Sequence, residues 1–384
     1  MQFELTKEQR QVRDSMRNYV QEEVEPVAHE LDQNHEYPAD ILEELAEQGI
    51  MGMTVPEEYG GLGYGLVEYA FVIEETAKSL MAIGSVINVH VITETLIQKF
   101  GNNSLKETYL PEMVNFETVG AFGLTEPNAG SDNAAMATHA EKDGDEWVID
   151  GQKRWITNSP NADVVSVFAK TGPEEDRYRN ISAFLVPTDA EGFEIGKTWG
   201  TLGLNSLQSC DLHLDGVRIP EDHLIGEKDR GFMHVVEGLN VGRTNVAARC
   251  SGMARAAVED AATYAKEREQ FSQPIGDFQG IRWKIAEMEV KADISHLLTL
   301  RAADYADRGL GDQGREESIA KLYASEAAVQ NAREAIQIHG GNGYTTEYDV
   351  ERYLRDAQLL TIGEGTNEIH RKIIADRVLG TAAE

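Results

Sequence analysis

The segment FGLTEPNAGSD, residues 122–132, lies where two kinds of sequence pattern meet. Before it, apolar residues recur at helical spacing over residues 5–111. Around and after it, over about residues 116–225, short β-type runs such as WVI and ISAFLVP are separated by turn-forming Asp-Gly pairs. Helical patterns return after Gly231. The sequence therefore predicts helices, then strands, then helices again.

Capping and breaking residues mark where the predicted helices begin and end. Thr6 and Gln9 have the spacing of a capping box, and a second helix is expected between Pro38 and Gly49. Long helical patterns follow over residues 233–268, 279–308 and 315–339. We therefore predict an α+β protein with a helical domain over residues 1–115, a β-sandwich or β-barrel domain over 116–229 and a second helical domain over 230–384.

Length and composition limit the classes of protein that this chain can be. At 384 residues, of which 41% are hydrophobic, it is expected to fold as two or three packed domains that can bury a large ligand. A formal net charge of −31 repels phosphate backbones and anionic lipids, so neither nucleic acid nor a membrane is expected as a partner. The acidity suggests a high-salt cytoplasm, and an ordinary acidic enzyme fits it nearly as well.

The sequence contains no recognisable targeting or metal-binding signal. No run approaches the roughly 18 consecutive apolar residues of a membrane span, and the N-terminal MQFELTKEQR lacks the pattern of a signal peptide. Cys210 and Cys250 are far apart, form neither a disulfide framework nor a CxxC pair, and fit a reducing compartment. We therefore expect a cytoplasmic protein without a metal site.

The segment 122–132 could bind the polar edge of a heteroaromatic ring, because it combines Thr, Asn, Ser and Gly with backbone amides. A domain linker rich in Pro and Gly would have a similar composition. On a later predicted strand, alternation places Trp155 and Thr157 on one face, where an indole beside a hydroxyl suits a flavin. Taken alone, Trp155 is more often a core residue.

Two further segments offer polar groups at helix ends. The first, REQFSQPIGDFQ at residues 268–279, has a cation and amides suited to a pyrophosphate. The second, QIHGGNGY at residues 337–344, has glycines that let another backbone or a nucleotide approach closely. Each could equally be an ordinary helix end. No GxGxxG follows a predicted strand and no GxxxxGK occurs, which disfavours a nicotinamide cofactor or a nucleoside triphosphate.

The segment IGEGTNEI, residues 362–369, places Glu364 between two glycines just before the last predicted helix. The glycines allow the backbone to pass close to a ligand. The run LLTI, which leads into the segment, is apolar enough to desolvate a carboxylate and to raise its pKa. Most Glu residues are solvated surface groups, but this one has the surroundings that a general base needs.

In this order and spacing, the four segments and Trp155 resemble the acyl-CoA dehydrogenase family over about residues 3–380. The resemblance implies a helical N-terminal domain, a middle β-barrel and a C-terminal four-helix bundle. It also implies FAD bound between the subunits of a dimer or of a homotetramer that is a dimer of dimers.

The resemblance assigns expected roles to individual residues. Glu364 matches the catalytic base, and no metal is expected. Those expected along the acyl-CoA substrate are Ser131, Asn240, Arg243 and Gly365. Those expected to contact FAD are Phe122, Leu124, Thr125, Ser131, Trp155, Ile156, Thr157, Arg268, Phe271, Gln279, Gln337, Gly340, Gly341, Thr366 and Glu368.

The activity implied by the resemblance is dehydrogenation of an acyl-CoA thioester, as in fatty acid β-oxidation. A carboxylate takes the α-proton, a hydride passes from the β-carbon to FAD, and the electrons go to an electron-transfer flavoprotein. An acyl-CoA oxidase would differ in letting oxygen reach the flavin, although typical oxidases are longer. A DNA-associated relative would need a basic surface, which a charge of −31 disfavours, and a purely structural helical protein would not need these motifs.

Four positions bear on how far the resemblance extends. Asn240 stands where Asp is usual, Ser272 where Gly is usual, and Gly363 where many members have Tyr beside the base. In one branch of the family the base comes instead from the position of Gly242, which cannot abstract a proton. Because Gly363 and Gly242 lack side chains that would narrow the acyl pocket, we expect bulky or branched acyl groups to be accepted.

Overall fold

Helices occupy both ends of the described chain, and strands occupy its middle. The computed structural model describes residues 4–312 and 314–381. Residues 1–3 and 382–384, at the outer ends of the two predicted helical domains, and residue 313 lie outside the described residues. The predicted fold class, with a sheet domain between two helical domains, is confirmed.

The N-terminal helices begin and end at the residues that the sequence indicates. Thr6 and Gln9 form the capping box, with both hydrogen bonds at 3.1 Å. The helix after Pro38 is followed by Gly49 in the left-handed conformation, at φ 76°. The helices are α1 (Lys7–Tyr19), α2 (Glu25–Asn34), α3 (Ala39–Glu47), α4 (Leu66–Ser79), α5 (Met81–Phe100) and α6 (Asn103–Val114), with a π-helical turn, Val20–Val24, between α1 and α2.

Helix α5 lies at the centre of the N-terminal domain and is buried on nearly all sides. By length and composition it could cross a membrane, but 94% of its most apolar 18-residue window is buried inside the protein. A helix in the core of a globular protein has the same composition. Polar residues of α5 are buried too, among them Asn88 and His90 at 3% and 0% exposure, so they need partners within the protein.

The middle domain is a single mixed sheet. Its strands follow the order β6-β7-β3-β2-β4-β5-β8, and β1 pairs in parallel with β4. Strands β4 and β5 are buried on both faces, one towards α5 and α6 and the other towards β3 and β7. The strands are β1 (Gly120–Gly123), β2 (His139–Asp143), β3 (Glu146–Thr157), β4 (Val164–Lys170), β5 (Ile181–Pro187), β6 (Phe193–Thr198), β7 (Ser209–Pro220) and β8 (Leu224–Ile225).

The C-terminal domain packs α7, α8, α9 and α10 around an alanine-rich core, and α11 lies against α9. The three long helices lie within two residues of the predicted spans at each end. The elements are α7 (Gly231–Glu267), the hairpin β9 (Glu269–Gln270) and β10 (Gln273–Pro274), α8 (Gln279–Asp307), α9 (Arg315–His339), α10 (Val350–Leu360) and α11 (Asn367–Leu379).

Helix α7 joins the two helical domains, because glycines let it approach α4 and α5 closely. A Cβ at Gly252 would lie 2.1 Å from the carbonyl oxygen of Glu74 on α4, and one at Gly238 would lie 3.1 Å from Ile92 on α5. Any larger residue would push these helices apart. The narrow space between α5 and α7 receives the candidate catalytic residue.

Candidate active site

Glu364 lies in the turn between α10 and α11 and has a left-handed backbone, at φ 55°. This conformation, followed by Gly365 at φ 91°, turns its side chain in between α5 and α7. Asn88 Nδ2 donates a hydrogen bond of 3.1 Å to Oε1, whereas the buried Oε2 has no partner among the described residues. One oxygen is therefore fixed and the other is free to accept a proton.

Gly242 on α7 provides the room for this carboxylate. A Cβ at Gly242 would lie 2.7 Å from Glu364 Oε2 and 2.9 Å from Ile92 Cδ1. We call the space between Asn88, Ile92 and Gly242 the carboxylate slot. The expectation that Gly242 widens the acyl pocket is wrong, because Glu364 fills that space. Gly363 does leave room, since its Cβ would come no closer than 3.5 Å to any neighbour.

Opposing effects act on the ionisation of Glu364. Burial raises its pKa, and the nearby charges of Arg249, Arg243 and Lys321, together with the Asn88 hydrogen bond, lower it. Lys321 has a pKa that burial lowers to about 8, and its Nζ donates to the carbonyl oxygen of Gly365 at 2.7 Å. Burial also lowers the pKa of His370 to about 3, so His370 is neutral at physiological pH.

Unpartnered polar atoms concentrate at the carboxylate slot and the residues next to it. A native interior leaves few buried polar groups without hydrogen bonds, so such a cluster indicates a place where a ligand completes them. Among the described residues, the buried atoms of this cluster without a partner are Asn88 Oδ1, Arg243 Nε, Asn245 Oδ1, Arg249 Nε, Glu364 Oε2 and His370 Nδ1.

The residues predicted along the substrate are only partly brought together. Arg243 Nη1 donates to Asn240 Oδ1 at 3.1 Å, and both side chains are buried. Asn240 also lines a cleft of about 210 Å³ that leads towards this end of α7. Gly365 adjoins Glu364, whereas Ser131 is exposed on its loop. No group of His, Cys, Asp or Glu side chains placed to hold a metal occurs within residues 4–312 and 314–381.

The loop of residues 122–132 is held against β3 by a buried ion pair. Lys153 Nζ lies 2.8 Å from Glu126 Oε1, and the two side chains are 0% and 5% exposed. Glu126 also accepts hydrogen bonds from the amides of Ala137 and Thr138. Arg154 N donates to the carbonyl oxygen of Thr125 at 2.8 Å. Sequence reasoning missed this pair, because nothing local links two residues that lie 27 positions apart.

Trp155 presents an uncovered indole beside this loop. The strand register shifts between Lys153 and Ile156, and Trp155 itself has a φ of 57°. As a result its ring is 55% exposed, Ile156 is buried and Thr157 is half-buried. The ring meets Trp199 edge to face, with centroids 6.2 Å apart, which leaves a face for a flat ligand. Phe122 is half-buried and Leu124 is buried in the same loop.

The remaining predicted cofactor residues form a second cluster at the far end of α7. Arg268 follows α7, and Phe271, at the tip of the β9–β10 hairpin, is 91% exposed. Tyr264 stacks on His339, with centroids 4.2 Å apart, and so brings the 337–341 turn to the same end. Gln279, Gln337, Gly340 and Gly341 are all exposed there.

The carboxylate slot and the second cluster lie far apart along α7. Gly242 and Arg268 lie on one helix or directly at its end, 26 residues apart, which corresponds to roughly 39 Å at 1.5 Å per residue.

The donor sets fit a flavin dinucleotide. The first cluster, formed by the loop of residues 122–132 and Trp155, has an open indole face and a polar loop. Near the carboxylate slot, Thr366 caps α11 and Glu368 is exposed beside it. The second cluster has a cation, an uncovered phenyl ring and open space above Gly340 and Gly341, where an added Cβ would meet nothing within 4 Å. An isoalloxazine ring suits the first set, and a diphosphate with an adenosine suits the second.

Family models match nearly the whole chain. The N-terminal, middle and C-terminal domains of acyl-CoA dehydrogenase match residues 6–117, 121–217 and 229–379. The chain belongs to the acyl-CoA dehydrogenase family. The predicted family and the predicted enzyme class, an oxidoreductase, are confirmed, and the family consists of flavoproteins.

Curated members of the acyl-CoA dehydrogenase family resemble this chain over its full length. A probable acyl-CoA dehydrogenase of Bacillus subtilis is 42% identical over 99% of this chain and 100% of its own length. An acryloyl-CoA reductase (NADH) of Anaerotignum propionicum is 38% identical over 99% of this chain and 96% of its own. Relatives of similar length are thus named for dehydrogenation and for reduction.

Solved structures of acyl-CoA dehydrogenases superimpose closely on this one. Butyryl-CoA dehydrogenase from Megasphaera elsdenii matches with a TM-score of 0.96 and 34% identity, over 99% of this chain and 100% of its own. The glutaryl-CoA dehydrogenase complex with glutaryl-CoA matches with a TM-score of 0.96 and 35% identity, over 100% and 98%. A chain from the study of the electron transferring flavoprotein of Acidaminococcus fermentans also has a TM-score of 0.96, at 34% identity over 99% and 100%.

Proposed function

We propose that this member of the family oxidises the bond between the α- and β-carbons of an acyl-CoA thioester to a trans-2-enoyl-CoA, with FAD as its cofactor. The observation that carries this proposal is the buried Glu364 carboxylate, with Oε1 held by Asn88 and Oε2 unpartnered in the carboxylate slot.

Each group around Glu364 has a part in removing the proton. Asn88 orients the carboxylate, and Oε2 takes the proton from the α-carbon. Burial favours the protonated form, which strengthens the base, while the charges of Arg249, Arg243 and Lys321 favour the ionised form. Bound FAD supplies the acceptor for the hydride that leaves the β-carbon. Trp155, Thr125 and Thr157 would hold its ring, and Arg268, Phe271 and Gln337 its diphosphate and adenosine.

A homotetramer built as a dimer of dimers is part of the proposal. The separation along α7 between the carboxylate slot and the second cluster supports an FAD site that two copies of the chain complete. Helix α8 supports further assembly, because Trp283, Val290 and Leu297 recur at seven-residue spacing and are 61%, 56% and 52% exposed. Such a stripe suits a helix seam between chains.

We propose an electron-transfer flavoprotein as the partner that reoxidises the reduced cofactor. The match to a chain from the study of the Acidaminococcus fermentans electron transferring flavoprotein supports this choice. The relative named acryloyl-CoA reductase favours a second candidate, which is reduction of an enoyl-CoA in the same site. The same carboxylate would then return the proton, because the two directions share one path.

The test is an anaerobic titration of the purified protein. We expect a yellow protein with about one FAD per chain, since every chain supplies both clusters once. Addition of a suitable acyl-CoA should bleach the flavin, and an electron-transfer flavoprotein should restore the colour. Bleaching by NADH and recovery with an enoyl-CoA would favour the reductase instead. A colourless protein that takes up no FAD would contradict both candidates.

A further inference from the structure

The connection between β6 and β7, residues 199–208, leaves the sheet and enters the helical part of the protein. We call it the β6–β7 loop. Its Leu204 and Leu207 are 6% and 7% exposed and belong to the core of the helical domains rather than to the core of the sheet. A connection that only joins two strands usually runs over the surface, so the burial of this loop indicates a contact between domains.

The middle of the β6–β7 loop is fixed to α10. Leu204 N donates a hydrogen bond of 2.6 Å to Oδ1 of Asp356, whose side chain is buried. A Cβ at Gly203 would lie 2.5 Å from that same oxygen and 2.5 Å from the carbonyl carbon of Arg355, so the loop and the helix touch backbone to backbone. Leu204 also has a φ of 57°, a conformation that a leucine rarely adopts unless its surroundings hold it there.

Both ends of the β6–β7 loop contact the part of the sheet that carries the exposed indole. At the first end, Trp199 meets Trp155 edge to face, and its Nε1 donates a hydrogen bond of 2.9 Å to Asp211 Oδ1, which fixes the ring of Trp199. At the second end, the carbonyl oxygen of Gln208 accepts a hydrogen bond of 2.9 Å from Asn158 N, directly after β3. The loop therefore holds this end of β3 at two points.

Helix α10 leads into the turn that aims the catalytic carboxylate. Asp356 is on this helix, and Glu364 follows directly after its end, in the turn to α11. The helix is also fixed to the N-terminal domain, because Arg355 pairs with the buried Asp32 on α2 at 2.7 Å. The β6–β7 loop thus connects the strand that carries Trp155 with the helix that precedes Glu364.

We propose that Asp356 is a positioning residue of this enzyme: by holding the β6–β7 loop, it sets the distance between the cofactor face of β3 and the Glu364 carboxylate. This inference rests on the proposed function and adds a residue that acts through others. The proton and the hydride leave adjacent carbons, so the base and the cofactor face must be held in register with both. A misplacement of about 1 Å can slow such a reaction on the order of a hundredfold.

The experiment measures flavin reduction in the holoenzyme by stopped flow, with whichever of butyryl-, isobutyryl- and octanoyl-CoA reduces the wild type fastest. Asp356→Ala removes the acceptor on α10, so we expect the rate at saturating substrate to fall roughly 10- to 100-fold with little change in the half-saturating concentration. Asp356→Asn keeps an acceptor oxygen and should retain most of the wild-type rate. Gly203→Ala pushes the loop away from α10 and should behave like Asp356→Ala.

Asp150→Ala is the matched control, because Asp150 Oδ1 also accepts one backbone hydrogen bond, from Gly216 N at 2.8 Å, at a turn of the same sheet outside the β6–β7 loop. It should leave the reduction rate unchanged. Hydrogen exchange of the backbone amides of residues 199–208 gives a readout that does not depend on activity. Exchange should become faster in Asp356→Ala and Gly203→Ala, and should stay at the wild-type rate in Asp356→Asn and Asp150→Ala.

Three results would overturn the inference. Faster exchange of the β6–β7 loop in Asp356→Ala with an unchanged reduction rate would refute it and leave the proposed dehydrogenation standing. Equal slowing in Asp356→Ala and Asp356→Asn would assign the effect to the charge of Asp356 instead of the loop. If Asp356→Ala does not fold, Gly203→Ala decides, and a wild-type rate in that variant would refute the inference. Failure of all three esters to bleach the FAD-loaded wild type would refute the proposed function as well.

Discussion

At the scale of single residues, the site depends on the conformation of Glu364. A non-glycine residue at positive φ is strained by about 1–2 kcal/mol, and here it has a φ of 55°. The carbonyl oxygen of Glu364 lies 3.1 Å from Nε2 of the neutral His370. The carbonyl oxygen of Gly365 accepts a hydrogen bond of 2.7 Å from Lys321 Nζ. The surrounding structure therefore fixes a backbone turn that aims the carboxylate into the slot.

Replacing Glu364 by Gln should abolish proton abstraction with little change in shape. We expect FAD binding and ligand-induced spectral shifts to survive, while flavin reduction slows by on the order of a hundredfold or more. Stopped-flow absorbance under anaerobic conditions measures this rate. Glu326→Gln is the control, since Glu326 is a solvent-exposed carboxylate on α9 that pairs with Arg371. Reduction of Glu364→Gln at the wild-type rate would show that another group is the base.

The pH dependence of activity should follow the ionisation of Glu364. Because only the carboxylate accepts a proton, kcat/KM should fall as pH falls through a pKa that burial holds above the usual range. Stability depends on pH in the opposite direction. Because the pKa of Glu364 is higher in the folded than in the unfolded chain, its contribution to stability is complete below the pKa of the unfolded chain and is lost as pH rises through the pKa of the folded chain. The active form is therefore the less stable one.

Lys321 allows a direct test of this electrostatic balance. Lys321→Gln removes a charge that lowers the pKa of Glu364, so the acidic limb of kcat/KM should move to higher pH. Lys372→Gln, on the exposed part of α11, should leave the limb in place. A limb that does not move in Lys321→Gln would mean that Lys321 only holds the carbonyl oxygen of Gly365.

The contact between Gly242 and Glu364 predicts that the base can be moved to α7. A Cβ at Gly242 points at Glu364 Oε2 from 2.7 Å, so a carboxylate on that Cβ could reach the same α-carbon. The double variant Glu364→Gly with Gly242→Glu should recover part of the flavin reduction rate that Glu364→Gly loses. Gly242→Glu alone should be impaired, because two carboxylates then share one slot. No recovery in the double variant, if it still binds FAD, would place the α-carbon out of reach of α7.

At the scale of elements, the sequence was most informative where local patterns decide the structure. Helices α7, α8 and α9 could be predicted because their periodicity, caps and glycine turns are local, and Glu364 because of its flanking glycines. The partners of Glu364 could not be predicted in this way. Asn88 lies 276 residues away on α5, a helix so evenly apolar that no face of it stands out.

The ion pair between the cofactor loop and β3 should matter more than any surface pair. Glu126→Gln leaves Lys153 buried without a counter-ion, so we expect unfolding to require about 3–5 kcal/mol less free energy. FAD binding should weaken, because the loop of residues 122–132 loses its anchor. Chemical denaturation and FAD titration measure the two effects.

Glu221→Gln provides the matched control on the same sheet. It breaks the exposed pair with Lys142, which is worth at most about 1 kcal/mol. Similar losses in Glu126→Gln and Glu221→Gln would contradict a special role for the buried pair. Replacing both Glu126 and Lys153 by apolar residues should recover only part of the stability, because no unpaired charge then remains but the amides of Ala137 and Thr138 lose their acceptor.

At the scale of the whole molecule, charge and shape act in different places. The net charge of −31 surrounds the protein with a field that opposes anions, yet Arg243, Arg249 and Lys321 all act on one buried carboxylate. These cations therefore oppose the overall negative field at the place where an anionic substrate would bind. If the acidity is an adaptation to a high-salt cytoplasm, molar KCl should raise the melting temperature, whereas an ordinary acidic protein would be indifferent to it.

The length of α7 also has a genetic consequence. In the proposed assembly one chain contributes Glu364 and another contributes Arg268 to each complete site, so a hybrid dimer of Glu364→Gln and Arg268→Ala chains carries both defects in one site and neither in the other. Two alleles that are each inactive alone should therefore complement one another when expressed in the same cell. With random pairing, about a quarter of all sites would be intact. Two alleles that both alter Glu364 should stay inactive when expressed together, because every site then contains an altered residue 364.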